Sequence, residues 1–423
     1  MKVFKFGGAS VKDAAAVQNV AEIIALFKGQ KIGIVVSAMG KTTNALELVV
    51  NALCERDDVK FNALTSELKS FHVDIMKSLF EDVNHPIFKE IDEEFEQLTE
   101  MYDERIPDNF NFEYDQIVSL GEVISTKIVN AYLVQSGISS CWADARELIR
   151  TDNKYREGGV DWNKTEMLFQ SRFMPKFNDY NVQVTQGFIG HTSEGLTTTL
   201  GREGSDYTAG IMAFCCNAES VTIWKDVPGM LNADPKWFDN TIKLESISFR
   251  EAIELSYYGA SVIHPKTLKP LQNKDIPLYV KSFIDPNADG TTIHASTEKD
   301  HLVPSFIFKL KQVLFSFTPK DFSFIVEENL SDIFSRLAKA DAKINLMQNS
   351  ALNFSILLDE EKVNIDEIRQ LFEDTYIVKY NQGLELVTVR HYDQATLDRV
   401  TENKEVILQQ KTRETARLIV KQR

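Results

Sequence analysis

The feature that most constrains the fold of this chain is the alternation of short apolar runs with longer helical segments in its first half. Val3–Phe6 and Ile32–Val36 have the composition of buried strands, whereas Val11–Phe27 carries apolar residues at helical spacing. A second segment of helical period follows at residues 46–53. Because parallel strands need a crossover between them, this alternation predicts an α/β fold with a parallel sheet.

The middle of the chain continues this pattern around a helical insertion. Residues 57–110 are acidic and show no strand signals, so we expect a solvated helical insertion there. Ile117–Gln135 is predicted to be one long helix. Val182–Thr185 and Val221–Trp224 read as further strands of the sheet, with a helix over Ser205–Phe214 between them.

The pattern changes near residue 285, in a turn-rich stretch. We predict a catalytic α/β domain over 1–285 and a separate α+β region over 300–423. Signals over about 312–381 follow the order β-α-β-β-α-β of a ferredoxin-like unit. A second unit, about 384–423, is shortened by a helix and a strand, and Phe306–Leu310 could supply a strand to it.

Charge and cysteine content exclude several classes of protein. The chain has 62 acidic and 47 basic residues, a formal charge of −15, which disfavours general binding to nucleic acid. Its four cysteines show no Cys-x-x-Cys spacing, so we expect neither disulfides nor a metal site built by the protein. We find no apolar run near 18 residues and no signal peptide, and we therefore expect a cytoplasmic protein without membrane contact.

Two loops at strand ends are candidates for ligand binding. Lys5-Phe6-Gly7-Gly8-Ala9-Ser10 places a lysine and two glycines before a helix, which suits an anion, although a plain turn with a surface lysine fits equally well. Ser37-Ala38-Met39-Gly40-Lys41-Thr42-Thr43-Asn44 contains Gly-Lys-Thr, but Val35 stands where a Walker P-loop needs glycine. This second loop either binds a ligand or caps a helix through Thr42 or Thr43.

The strongest candidate is the loop Thr197–Asp206, which is rich in glycine and hydroxyl residues and opens a helix. It combines a helix N-terminus with Arg202, a side chain suited to gripping a carboxylate. Glu122 lies on a predicted helix and would ordinarily be solvated. Trp224–Met230 is another loop at a strand end, and His264 before a proline is expected to be structural.

Taken in order, these motifs resemble the aspartate kinases of the amino-acid kinase superfamily. The matching residues are Lys5-Phe6-Gly7-Gly8, Thr43-Asn44, Gly121-Glu122, Leu200–Asp206, Asp226-Val227-Pro228-Gly229 and Gly259-Ala260 with His264-Pro265. The resemblance covers essentially the whole chain, since two ACT-type regulatory units follow the kinase domain in this family. It implies phosphorylation of L-aspartate by ATP to 4-phospho-L-aspartate, the first step towards lysine, threonine and methionine.

The resemblance also implies roles for individual residues. Lys5 and Asp206 would be catalytic, with Lys5 neutralising phosphate charge and Asp206 organising the lysine. Substrate contacts would come from Thr43, from Glu122 facing the ammonium group and from Arg202 facing the α-carboxylate. Magnesium would arrive with ATP. The expected ATP contacts are Lys5, Gly7, Gly8, Ser10, Gly204, Ser205, Lys225, Asp226 and Lys236.

Four positions depart from the family pattern. Leu231 and Lys236 stand where tyrosine and arginine are common, and Ser261 stands where many members have lysine. These three put the ATP contacts in question. Glu203 replaces a usual glycine, which puts the flexibility of its loop in question.

Two other functions are compatible with parts of this pattern. One is a different amino-acid kinase, acting on glutamate, acetylglutamate, carbamate or UMP; the other is an amino-acid sensor with a decayed kinase domain. We expect a homodimer held by the C-terminal region. A lysine or threonine effector would inhibit weakly or not at all, because the second unit is shortened and the loop Pro319–Asn329 lacks glycine. Alternatively, Asn345, Gln348, Asn349 and Ser350 bind an effector normally.

Overall fold

The computed structural model describes residues 1–104, 107, 109–260 and 263–423. It divides into two compact units. The first comprises Met1–Met230, Lys243–Ser256 and Ser261–Lys299, and the second comprises Leu231–Ile242, Tyr257–Ala260 and Asp300–Arg423.

The elements up to residue 299 alternate strands with helices. In chain order they are β1 (Lys2–Phe6), α1 (Ala14–Ala25), β2 (Ile32–Val36), α2 (Thr42–Glu55), α3 (Asp58–Leu79), α4 (Pro86–Glu104), α5 (Phe110–Val118), α6 (Leu120–Gln135), β3 (Ser140–Ala143), α7 (Ala145–Leu148), α8 (Trp162–Leu168), β4 (Val182–Gln186), β5 (Ile189–His191), β6 (Thr197–Thr199), α9 (Gly204–Cys216), β7 (Ser220–Lys225), β8 (Ser246–Ser248), α10 (Phe249–Tyr258), α11 (Pro265–Asn273), β9 (Leu278–Ser282) and β10 (Thr291–His294).

Eight of these strands form one sheet in the order β3-β4-β2-β1-β7-β9-β10-β8, and β5 pairs with β6 separately. Strands β3, β4, β2, β1, β7 and β9 run parallel, which confirms the predicted α/β fold. Every residue of β2 and β4 is buried, as expected of central parallel strands covered on both faces. The parallel order brings the carboxyl ends of β1, β2, β4 and β7 to the same edge.

Two helices differ from their predicted bounds. A 3₁₀ turn at Gly8–Val11 comes before α1, which begins after Asp13 because that carboxylate accepts a hydrogen bond from the Ala16 amide as an N-cap. The predicted single helix Ile117–Gln135 is two helices, since α5 ends and α6 begins on either side of Ser119.

The acidic insertion forms the helices α3 and α4, and each buries one face. Phe61, Leu68 and Met76 of α3 and Ile91 and Phe95 of α4 belong to the same hydrophobic core as the sheet. The insertion is therefore amphipathic, with most of its charged residues on the outer face and Glu94 buried in an ion pair with Lys127.

The consecutive helices α5 and α6, taken together over Phe110–Gln135, have the length and composition of a membrane span, with a mean hydropathy of 1.4 in their most apolar window. Of that window, 72% is buried inside the protein. This pattern is typical of a core helix.

The second unit is α+β. Its elements are β11 (Ser305–Pro319), α12 (Glu327–Lys339), β12 (Ile344–Asn349), β13 (Phe354–Asp359), α13 (Ile365–Phe372), β14 (Tyr376–Arg390), α14 (Gln394–Thr401), β15 (Lys404–Lys411) and β16 (Thr415–Gln422). They form a six-stranded sheet in the order β12-β13-β11-β14-β16-β15.

Two long strands, β11 and β14, serve both ferredoxin-like repeats of this sheet. The second half of β11 pairs with β13, and its first half pairs with the second half of β14, with Phe306 opposite Val389. The predicted β-α-β-β-α-β order is confirmed, and so is the strand that Phe306–Leu310 adds to the second repeat. Breaks in register near Gln312 separate the two halves of β11.

Candidate active site

An open cavity of about 680 Å³ lies in the first unit, at the carboxyl edge of its parallel sheet. This is the position at which open α/β sheets bind their ligands. Eight predicted site residues line it together: Lys5, Thr43, Glu122, Arg202, Gly204, Ser205, Asp206 and Lys225. They come from β1, α2, α6, β7, the loop before α9 and the start of α9, so the fold assembles them from segments far apart in sequence.

One side of the cavity carries a nearly buried ion pair. Lys5 lies in β1, and its Nζ atom is 2.7 Å from Oδ1 of Asp206 in the first turn of α9. The two side chains are only 11% and 5% exposed. The Asp206 carboxylate holds the lysine ammonium at the carboxyl end of β1, beside the N-terminus of α9. Backbone amides at a helix N-terminus favour an anion.

The loop before α9 is fixed by a contact that sequence analysis missed. Glu203 is the N-cap residue in the left-handed conformation, at φ 55°, and its Oε2 atom accepts a hydrogen bond of 2.9 Å from the His264 amide. His264 itself caps α11 by accepting from the Lys266 amide. His264 is therefore structural, as predicted, and Glu203 joins the start of α9 to the start of α11.

Glu122 of α6 also lines the cavity, close enough to Lys5 for the lysine charge to act on its carboxyl group. It is 2% exposed, and burial raises the pKa of its carboxyl group to about 8. Its Oε1 atom accepts a hydrogen bond of 3.3 Å from the Ala38 amide, while Oε2 accepts none from any residue that the structure describes. Buried polar atoms are rarely left without a partner, so this oxygen is available for a cationic group of a ligand.

The chain around Glu122 explains why this glutamate is buried and not solvated. A Cβ atom at Gly121 would lie 3.1 Å from side-chain atoms of Ala38, Thr42 and Leu46, so glycine lets α6 approach the loop after β2 closely. The hydroxyl of Thr42 donates to Met39 O at 2.7 Å, and α2 has Lys41 at its N-cap without a side-chain cap. Neither threonine caps the helix, and Thr43 faces the cavity.

Tyr114, Arg156 and Thr199 form a third wall of the cavity. This wall is organised around the buried carboxylate of Asp115 in α5. Its Oδ2 atom accepts from the amides of Thr199 and Arg156, each at 2.9 Å, and Oδ1 accepts from the Thr199 hydroxyl at 2.7 Å. Burial raises the pKa of this group. Asp115 thereby joins α5 to β6 and to the loop that contains Arg156.

Five predicted contacts are not among the residues that line this cavity. Gly7 and Gly8 lie in the turn behind Lys5, where a Cβ at Gly8 would come within 2.8 Å of the carbonyl oxygens of Ala38 and Gly40. Ser10 is buried in the 3₁₀ turn. Asp226 follows β7 and is exposed, and Lys236 is an exposed residue of the second unit.

The departures from the family pattern fall in different places. Leu231, like Lys236, belongs to the second unit. Ser261 lies outside the described residues.

Sequence reasoning missed four residues that line the cavity: Tyr114, Arg156, Glu157 and Phe188. Phe188 follows the carboxyl end of β4, and its position after Gln186-Gly187 could have marked it as a residue at a strand end. The other three lie in a helix and a loop whose sequence carries no comparable signal.

Comparison with known proteins agrees with this geometry. A family model described as the amino acid kinase family matches residues 1–282. Lysine-sensitive aspartokinase 3 of Escherichia coli (strain K12) is 32% identical over 362 residues, covering 84% of this chain and 78% of that protein. The aspartokinase of Chlamydia trachomatis is 33% identical over 294 residues, covering 70% of this chain and 64% of that protein.

The fold also matches solved structures over its whole length. E. coli aspartokinase III in complex with lysine and aspartate is 26% identical, with a TM-score of 0.83, covering 100% of this chain and 96% of that one. The same enzyme with aspartate and ADP gives 27% identity, a TM-score of 0.80 and the same coverage. From the profile match, the shared fold and the relatives, this chain belongs to the amino acid kinase family and, within it, to the aspartokinases.

Proposed function

We propose that this chain transfers the γ-phosphoryl group of ATP to the β-carboxylate of L-aspartate, giving ADP and 4-phospho-L-aspartate. The observation that carries the proposal is a single cavity lined by a buried, partly unpartnered glutamate and by a lysine–aspartate pair. An amino acid that also offers a carboxylate nucleophile fits between them. The reaction is the first step towards lysine, threonine and methionine.

The amino-acid side would use Glu122, Arg202 and Thr43. Glu122 offers its free Oε2 atom to the substrate ammonium group. The resulting ion pair offsets the free energy needed to ionise a buried carboxyl group. Arg202 is exposed at the rim of the cavity, where its guanidinium can bind the α-carboxylate with two parallel hydrogen bonds. Thr43 adds a hydroxyl from the start of α2.

The phosphoryl side would use Lys5 and Asp206. An oxygen of the β-carboxylate attacks the γ-phosphorus, the bond to the β,γ-bridging oxygen breaks, and ADP leaves with that oxygen. The nucleophile is already ionised, so no proton has to move and no general base is needed. Catalysis then consists of alignment and of neutralising charge on the transferring group, which Lys5 supplies while Asp206 orients it.

The nucleotide would be bound by Gly204, Ser205 and Lys225 in the cavity, with Gly7, Gly8 and Ser10 shaping the turn behind Lys5. We also propose Asp226 and Lys236 as nucleotide contacts. Mg²⁺ would be held mainly by the ATP phosphates and water, as is usual for phosphoryl transfer, and would neutralise the phosphate oxygens. Asp206 would offer a carboxylate oxygen to the metal or to its bound water.

The C-terminal unit would hold two copies of the chain together as a homodimer. Several large apolar side chains of this unit are exposed, including Phe322 at 70% and Phe324 at 68%. Large exposed apolar groups favour association. Light scattering in solution measures the mass directly, and a value near 96 kDa, twice the 48.1 kDa chain, is expected.

A substrate panel tests the proposed reaction. ADP release is measured with Mg²⁺ and ATP in the presence of L-aspartate, L-glutamate, N-acetyl-L-glutamate, carbamate or UMP. L-aspartate should be the best acceptor. A better rate with another acceptor would assign a different kinase activity, and no turnover with any of them would favour the amino-acid sensor.

The Arg202→Ala variant tests how the substrate is oriented. Loss of a bidentate partner should weaken aspartate binding by on the order of 2–3 kcal/mol, with much less effect on ATP. An equal loss for both would mean that Arg202 contacts phosphate.

A further inference from the structure

Arg156 lines the cavity with a backbone conformation that is unfavourable for arginine. It lies in the left-handed region at φ 65°, and its side chain is 40% exposed. Residues other than glycine adopt this region at a cost, and such residues concentrate at functional sites. A glycine would serve the turn better, so the arginine side chain itself needs an explanation.

The surrounding structure holds Arg156 in this conformation from both sides. Its amide donates to the buried Asp115 carboxylate at 2.9 Å, and its carbonyl oxygen would be 3.3 Å from a Cβ atom at Gly201. Gly201 directly precedes Arg202. The backbone of Arg156 is therefore fixed beside the residue proposed to bind the substrate α-carboxylate.

The guanidinium group of Arg156 is positioned by the Tyr114 side chain, to which it is hydrogen-bonded, and by one partly exposed glutamate. It stacks over the Tyr114 ring at 4.1 Å from the centroid, and its Nη2 atom lies 3.3 Å from Oε1 of Glu47. Both partners of this ion pair are 40% exposed, and pairs so exposed contribute little to stability. Arg156 can exchange Glu47 for another carboxylate at small cost.

The Tyr114 ring links this arginine to the amino-acid side of the cavity. Burial is the main cause that raises the pKa of the Tyr114 hydroxyl; Glu47 and Glu122 raise it further, and Arg156 opposes them. Arg156 and Glu122 therefore act on the same phenol group. In an α-amino acid, the ammonium and the α-carboxylate are bonded to the same carbon, so both lie near Glu122. The β-carboxylate of aspartate must instead lie near Lys5, where the phosphoryl group would be transferred.

We propose that Arg156 is a second binding residue for the substrate α-carboxylate, exchanging Glu47 for it and sharing it with Arg202. The inference rests on the proposed function, since it takes the ligand to be an amino acid whose ammonium group pairs with Glu122. Its consequence is selectivity: the site should discriminate against substrates whose α-carboxylate is blocked.

The test uses Arg156→Gly, which removes the side chain and relieves the left-handed strain. Arg56→Gly is a matched control, because Arg56 is also left-handed at φ 55° and its guanidinium lies over a tyrosine, Tyr102, at 5.3 Å. We expect Arg156→Gly to raise the KM for L-aspartate roughly 10- to 100-fold, the loss typical of a charge-assisted hydrogen bond. The KM for ATP and kcat should stay unchanged and the melting temperature should not fall, while Arg56→Gly should leave the KM for aspartate unchanged.

Calorimetric binding separates this inference from the proposed reaction. L-aspartate and its α-amide are titrated into the wild type and Arg156→Gly, and the wild type should prefer the free acid by a margin that shrinks roughly tenfold or more in the variant. An unchanged margin overturns the role of Arg156 even if the enzyme phosphorylates aspartate. If the wild type turns over a different amino acid, the proposed reaction fails, and the same comparison with that amino acid and its α-amide still decides the role of Arg156.

Discussion

Single residues set the chemistry of this site through burial. Lys5 and Asp206 are nearly buried as a pair, whereas Glu122 is buried with one oxygen unpartnered. Burying a charged group costs free energy unless an opposite charge lies beside it. The Lys5–Asp206 pair meets this condition within the protein, whereas Glu122 has an oxygen free to bind a cationic group of a ligand. In the proposed reaction, the pair would act on the phosphoryl group and the glutamate on the substrate ammonium.

Replacing Lys5 by alanine should lower kcat by roughly 10²–10³-fold, because one positioned donor to the transition state is lost. Asp206→Ala should also act mainly on kcat, since it frees the lysine ammonium from its position. Steady-state kinetics with both substrates measure this. An increased KM with unchanged kcat in both variants would contradict these roles.

The pH dependence of aspartate binding should report on Glu122. Burial raises the pKa of this carboxyl to about 8 in the free protein, so near neutral pH it is largely protonated there. The substrate ammonium needs the ionised form, and binding therefore releases a proton. The KM for aspartate should fall as pH rises towards about 8 and then level off.

Glu122→Gln is the control for that profile. The amide has no proton to release, so its KM for aspartate should be higher and nearly independent of pH in the same range. A wild-type profile that is flat from pH 6 to 8 would show that Glu122 is already ionised without substrate.

At the scale of elements, the sequence predicts four of the ten strands β1–β10, those with short runs of buried, mostly apolar residues, and it misses β3, β5, β6, β8, β9 and β10. The position and type of β1, β2, β4 and β7 are all confirmed. The break at Ser119 was missed, because apolar spacing runs through it without a proline or glycine. Gly121 was visible, but the close packing that buries Glu122 depends on residues 38–46, which periodicity does not reveal.

The third wall of the cavity could not be predicted for a similar reason. Asp115 and Arg156 are 41 residues apart, and their contact with Thr199 depends on how α5, β6 and a loop meet. No motif spans these segments. Left-handed backbone at an arginine also has no sequence signal, since glycine is the residue that normally marks it.

Helix α3 should make the first unit sensitive to acid. His72 is fully buried, its Nδ1 atom lies 2.8 Å from Leu68 O, and burial lowers its pKa to about 4. In the unfolded chain a histidine titrates near 6.5, so between these values the unfolded state binds more protons. The free energy of unfolding should therefore fall as pH drops from 6.5 towards 4.

Urea unfolding at pH 7 and pH 5 measures this effect. The wild type should lose on the order of 1–2 kcal/mol more than His72→Leu over that interval. Equal losses in the two proteins would mean that His72 is protonated, or exposed, in the folded state.

At the scale of the whole molecule, the second unit raises the question of control by an amino acid. Its Asn345 side chain is already engaged by Lys309, Gln312 and Asp359, at 2.7, 2.8 and 2.8 Å. The loop before α12 lacks glycine, and Phe322 in it is left-handed at φ 57°. An effector that contacts Asn345 would therefore have to displace these partners, and no glycine lets it approach the backbone of the loop closely.

We therefore expect lysine and threonine to inhibit weakly or not at all, even though one relative is named a lysine-sensitive aspartokinase. Inhibition requires an effector that binds two states of the enzyme with different affinity. Titrating lysine and threonine, separately and together, at sub-saturating aspartate measures it. Clear inhibition below roughly millimolar effector, an affinity of about 4 kcal/mol or better, would contradict this expectation.

The most direct test of the account is to capture the product of the reaction. The enzyme is incubated with ATP, Mg²⁺ and L-aspartate in the presence of hydroxylamine, which converts an acyl phosphate to a hydroxamate. We predict aspartate β-hydroxamate in a one-to-one ratio with ADP, and its loss in Lys5→Ala. ADP without hydroxamate, or a hydroxamate at the α-carboxyl group, would contradict the proposal that this cavity phosphorylates the β-carboxylate of aspartate.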